Sequence, residues 1–195
     1  MGKRKGIKYN QIIDAAVRVI ARHGYHQAQV SKIAKEAGVA DGTIYLYFSN
    51  KEDILISLFE EKMGVFVDEI RTKIALLDKI EEKFLLSIQM HFAQLQAEKQ
   101  LAIVTQLELR QSNLELRQRI NQILKEYLQL LDELIIEGKE TGYFRADLNT
   151  RLARQMIFGT LDEIVTTWVM KDCKYDLTAQ AKPVQELFLK GLAKN

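Results

Sequence analysis

Pro183 is the only proline in a chain of 195 residues, where average usage would place about ten. Glycine is also on the low side, at ten residues. With so few breakers the chain has little to interrupt helices, which excludes loop-rich and turn-dense β architectures. Cys173 is the only cysteine, so no intrachain disulfide can form and a reducing compartment is expected. The longest stretch without a charge, Phe84–Ala97, is fourteen residues and contains three glutamines and His91. That is too short and too polar to span a bilayer. The N-terminus MGKRKGIKYN is basic but runs into a stretch carrying Asp14, Arg18 and Arg22, so it does not read as a signal peptide. A soluble, cytoplasmic protein is the expectation.

The chemistry-bearing motifs of common enzymes are missing as well. There is no G-x-S-x-G, no Walker loop and no dinucleotide glycine fingerprint. His23 and His26 have H-x-x-H spacing, but they straddle the predicted end of the first helix. Neither an enzyme nor a metal or cofactor site is expected.

Apolar residues make up 47% and charged residues 28%, as in ordinary globular domains. The net charge of +2 conceals a split. Residues 1–50 hold eight Lys/Arg against three acids, a balance of +5, and the rest hold twenty against twenty-three, a balance of −3. A basic head on a mildly acidic body suits a nucleic-acid module joined to something else.

Apolar residues recur at spacings of three and four almost throughout. The first helix is predicted from Tyr9 to His23, with Ile12, Ile13, Ala16, Val17 and Ile20 on one face and Gly24 as its stop. A short second helix carries Val30, Ile33, Ala34 and Ala37 and ends at Gly38; a third runs from Asp41 to Tyr47. Ser49 and Glu52 have the spacing of a capping box opening a long fourth helix to Leu76. Further helices are predicted at Asp78–Ala97, Leu101–Gln111, Leu114–Gly138, Asn149–Lys171 and Ala179–Ala193. Ser112 and Glu115 form a second predicted box, Asp147 or Asn149 can cap the next helix, and Pro183 falls in the first turn of the last.

The strongest local signal is GYHQAQVSKIAKEAGVADGTIYLYFSNKED, residues 24–53. An apolar helix ends at Gly38, a tight turn follows, and a second short helix crosses it, which describes a helix-turn-helix. Ile44 and Phe48 read as core. Around them lie Asp41, Gly42, Thr43, Tyr45 and Tyr47, small polar and aromatic residues beside Lys51 that suit a surface laid against phosphates. The run A-K-E-A-G-V-x-x-G-T-I-Y-x-Y-F-x-N-K-E-D-I-L resembles the DNA-binding region of TetR-family transcriptional regulators, over about residues 9–56. The resemblance implies an all-α fold: a three-helix DNA-binding domain at 1–50 and a helical-bundle domain for ligand binding and dimerisation at 51–195. It implies a recognition helix at 41–48, with Gly42, Thr43 and Tyr45 approaching base edges and Tyr47 and Lys51 on phosphate. Tyr45 can equally be a packing residue. Lys32 and the arm Lys3, Arg4 and Lys5 are further phosphate candidates, though the arm can also be a solubilising tail. Where the family usually places Ser or Thr, this chain has Gln29 and Ala40.

AIVTQLELRQSNLELRQ and RLARQMIFGTLDEIVTTWVM further resemble the fatty-acid-degradation repressors of that family. That implies a long-chain acyl-CoA effector, which needs a dry tunnel and a basic mouth. Phe92, Leu95, Val104, Leu107, Met156, Ile157 and Thr160 are tunnel candidates, or else ordinary core. Arg110, Arg117, Arg151 and Arg154 are mouth candidates, with surface pairing of Arg110 and Arg117 to Glu108 or Glu115 as the alternative. Ile164, Trp168, Val184, Leu187, Phe188 and Leu192 are candidates for a homodimer interface matched to a palindromic double-stranded operator. Gly64, inside the fourth helix, marks the bend or close approach through which motion passes, or else is a tolerated glycine near another backbone. A different hydrophobic effector, or a DNA-bound scaffold with no effector, remain the rival readings.

Overall fold

The computed structural model describes residues 5–192; the candidates Lys3 and Arg4, and the predicted last residue of the final helix, lie outside them. The first helix, α1 (Ile7–Gln27), buries Ile12, Ile13, Ala16, Val17 and Ile20 as their spacing requires. It does not simply stop at His23. Gly24 breaks it with φ 72° and ψ 156°, a conformation open to glycine, and a last turn follows. The Ala28 N–H closes that turn onto the carbonyls of Gly24 and Tyr25.

Two short helices cross behind it: α2 (Val30–Ala37), ended by left-handed Gly38, and α3 (Asp41–Ile44). The third helix is shorter than predicted, because the chain leaves the α-helical pattern and turns through Tyr45–Tyr47. Neither Gln29 nor Ala40 makes a side-chain cap.

Next comes α4 (Lys51–Ile74), and its cap corrects the expectation by one residue. Asn50, not Ser49, accepts from the N–H of Asp53 at 2.8 Å, while the Asp53 carboxylate accepts from the N–H of Ser49 at 2.9 Å. The remaining helices are α5 (Ile80–Ala97), α6 (Lys99–Glu108), α7 (Leu114–Glu140), α8 (Thr150–Met170) and α9 (Ala181–Leu192). Ser112 is likewise displaced as a cap by Asn113, which accepts from Leu116 N–H at 3.0 Å, and Asn149 caps α8 in the same way. In each case the side chain immediately before the first helical residue is the one that reaches the third N–H.

Two apolar cores result. The first joins α1–α3 to the start of α4 and, through Leu101, Val104, Leu116 and Ile120, to α6 and α7. The second joins the rest of α4 to α5, α7, α8 and α9. Head and body are therefore continuous through α4 and α6. One close approach fixes the far end of the body. A Cβ on Gly138 would lie 2.2 Å from a ring atom of the buried Phe144, so only glycine fits beneath that ring. By contrast a Cβ on Gly64 would meet nothing within 4 Å. Among the described residues of the protomer nothing approaches Gly64 closely, and α4 passes through it as unbroken helix.

Candidate nucleic-acid interface and ligand cleft

Ile44 and Phe48 are buried, one helical turn apart, and anchor the α3 region to the head. With those two inside, Gly42, Tyr45 and Leu46 must point out. Tyr45 is 59% exposed and Leu46 78%. Thr43 and Tyr47 are half-buried, and the Tyr47 ring lies 6.4 Å from that of buried Tyr9. Leu46 is not among the residues that the sequence singles out, although it stands exposed between two tyrosines of the same surface.

Lys32 is exposed and Lys51 half-buried. The Lys51 ammonium donates to the carbonyls of Tyr25 and His26 at 3.0 and 3.1 Å and sits 4.5 Å from the centre of the Tyr25 ring. Lys51 thus fastens the end of α1 to the start of α4. Of the basic arm, Lys5 pairs with Glu61 at 2.6 Å. Arg18 and Arg22 both bond Glu36 on α2, which holds that carboxyl below its usual range.

In the body a narrow apolar cleft of about 70 Å³ lies between α4, α5, α6, α7 and α8, and it must widen to take a ligand of ordinary size. Phe59, Met63, Phe66, Leu95, Leu101, Leu109, Leu124, Tyr127 and Phe158 form most of its wall. Its polar members are Lys62, His91, Gln94, Thr105, Gln106 and Asp162.

Leu95 is the only predicted tunnel residue on this wall. Phe92 and Ile157 are buried in the body core behind it, and Val104 belongs to the core shared with the head. Leu107 and Met156 are surface residues, 49% and 42% exposed. Thr160 turns its hydroxyl to the carbonyl of Met156. Helical spacing identifies an apolar face but not which neighbour it meets.

The predicted mouth arginines separate. Arg110 pairs with the buried carboxylate of Asp162 and so stands at the cleft's edge. Arg154 pairs with Asp132, away from the cleft, and Arg117 donates to the carbonyl of Gln111. Arg151 is exposed at the start of α8. Glu108 takes neither arginine. Its buried carboxylate accepts the Tyr25 N–H at 2.9 Å and a bond from Gln111, tying α6 to the end of α1.

The predicted dimer face also divides. Trp168, Val184, Phe188 and Leu192 are buried within the protomer's own core, Ile164 is half-buried, and Leu187 is 67% exposed. The broad apolar arc of α9 is used mainly against α5.

A helical head with an outward Tyr45–Leu46 surface, continuous with a body around an apolar cleft, defines a helix-turn-helix regulator with a sensing domain. Residues 12–58 match the model for bacterial regulatory proteins of the tetR family, and residues 59–191 that for the YsiA-like protein C-terminal region. The chain belongs to the TetR family. More particularly, it is 63% identical to the fatty acid metabolism regulator protein of Bacillus subtilis over 190 residues, 97% of this chain and 98% of that one. Its fold matches the fatty acid degradation regulator FadR of Bacillus halodurans with a TM-score of 0.92 and 72% identity, over 94% and 99% of the two chains. It matches Bacillus subtilis FadR in complex with stearoyl-CoA with a TM-score of 0.91 and 63% identity, over 94% and 98%. None of the described helices is long and apolar enough to cross a membrane.

Proposed function

We propose that this protein is a cytoplasmic, homodimeric repressor of fatty-acid degradation genes that leaves a palindromic operator when long-chain acyl-CoA enters the body cleft. The observation that carries this reading is the near full-length match to a regulator whose structure holds stearoyl-CoA. The apolar lining of the cleft supports it, since each CH₂ of an acyl chain buried there as the cleft widens contributes about 0.8 kcal/mol. Arg110, held at the rim by Asp162, is the arginine best placed for a phosphate of the CoA portion.

In this reading residues 1–50 read DNA and residues 51–195 sense the ligand and dimerise. The parts are coupled because cleft-wall residues also hold the head. Lys62 bonds Asp14 of α1 at 3.0 Å and Glu98 at 3.2 Å, and Leu101 packs into the shared core. A chain that displaces Lys62, Leu101 or Leu109 therefore biases the angle of the head. Stearoyl-CoA should release the operator complex in a gel shift; no release at concentrations that stabilise the protein thermally would sink this reading. Saturation at one hundred times Kd corresponds to about 2.7 kcal/mol of stabilisation.

Gly42, Thr43 and Tyr45 meet base edges, and Lys32, Tyr47 and Lys51 meet phosphate. Lys51 keeps donor capacity for an anion while it clasps two carbonyls. Lys51→Ala should weaken operator binding and lower the log–log salt slope by about 0.9 for each phosphate left without its cation. Weaker binding with an unchanged slope would confine Lys51 to holding the end of α1.

A further inference from the structure

Among the described residues on the cleft wall, one buried side-chain polar atom has no hydrogen-bond partner. His91 lies on α5 with 8% of its surface exposed, its ring stacked 5.6 Å from that of Tyr127 and close to Phe66 and Phe92. His91 Nδ1 and the Tyr127 hydroxyl are 3.0 Å apart. His91 Nε2 is buried and makes no hydrogen bond. Every other polar side chain on the wall is engaged: Lys62 with Asp14 and Glu98, Gln94 with Glu98, Thr105 with the carbonyl of Ala102, Gln106 with Thr166, and Asp162 with Arg110. An unmet buried group of this kind calls for an explanation.

The tautomer follows from counting unmet groups. If the Tyr127 hydroxyl donates to Nδ1, the ring proton sits on Nε2 and only one donor is left over. If Nδ1–H donates to Tyr127 instead, both the hydroxyl hydrogen and the Nε2 lone pair are stranded. The first arrangement wins because each stranded group is penalised in an apolar setting. Burial also pushes the His91 pKa down to about 4 and that of Tyr127 up, so both stay neutral near pH 7. The aromatic wall of the cleft thus holds a single buried, neutral N–H donor without a partner.

A plain alkyl chain brings no acceptor to that donor. A carboxylate brings one, but also a charge that the neutral wall does not balance. A thioester brings a neutral carbonyl oxygen at the head of an alkyl chain. We propose that His91 Nε2 donates a hydrogen bond to the thioester carbonyl of acyl-CoA, with Tyr127 holding the imidazole in the required tautomer, and that this contact selects acyl thioesters. The inference rests on the acyl-CoA reading above, and its test separates the two.

The full-length protein is titrated on its operator with stearoyl-CoA and with S-octadecyl-CoA, a thioether lacking the carbonyl. Wild type should need on the order of tenfold more thioether than thioester for half-release. His91→Leu should remove that difference, and His91→Gln, which restores a donor, should return part of it. Calorimetric titration of the same ligands gives the ratio for a variant that loses its operator. Equal potency of the two ligands on wild type overturns the carbonyl contact while leaving acyl-CoA as effector. A difference that survives in His91→Leu also overturns it. If neither ligand binds wild type, the acyl-CoA reading fails and this inference with it.

Discussion

Trp168→Ala should destabilise the protein by about 3–5 kcal/mol, the range for truncating a buried aromatic to alanine. Trp168 is fully buried in the body core, and its indole N–H donates to the carbonyl of Tyr175 at 2.8 Å. Truncation opens a cavity and also strands that carbonyl in a loop that α8 must hold. Trp168→Phe should recover most of the packing and leave self-association unchanged. Urea unfolding together with sedimentation checks both statements. A Trp168→Ala variant of near wild-type stability that falls apart into monomers would return Trp168 to a subunit interface.

Leu187→Glu should have the opposite profile. Leu187 is 67% exposed on α9, so a charge there meets only solvent in the isolated protomer, and surface changes of this kind shift stability by about 0.5 kcal/mol or less. If α9 meets its copy in the proposed homodimer, a desolvated glutamate should weaken association by about thirtyfold or more, the loss expected at a hot spot. Operator affinity should fall with it, because in the proposed homodimer each head would read one half of a palindrome. A variant that sediments as the wild-type dimer would place the interface elsewhere.

The contrast between Trp168 and Leu187 shows how far periodicity reaches. Both sit on apolar faces of the last two helices, and spacing alone groups Val184, Leu187, Phe188 and Leu192 together. Which part of that arc turns inward depends on where its neighbours lie: α9 packs against α5, the Phe188 ring 6.1 Å from that of Phe84, and Val184, Phe188 and Leu192 are buried while Leu187 is left out. The cleft was legible only as a composition. Its most telling residue, His91, stands in the uncharged run Phe84–Ala97 as one of the few polar groups, but its partner Tyr127 lies thirty-six positions away. No local pattern could have joined them.

The sequence by itself determined the helical architecture, because a chain with one proline and apolar spacings of three and four has little other way to bury its surface. It also determined the helix-turn-helix, since Gly24, Gly38, Ile44 and Phe48 act on their immediate neighbours. Caps were resolved to within one residue, Asn50 and Asn113 standing beside the predicted serines. Only the tertiary structure decided the lining of the cleft, the clasp of Lys51 on Tyr25 and His26, the link from Glu108 to Tyr25, and the open face of α9. Turns and caps are fixed by interactions across three or four residues. Clefts, clasps and interfaces are fixed by which distant helices meet, and that depends on the packing of the whole chain.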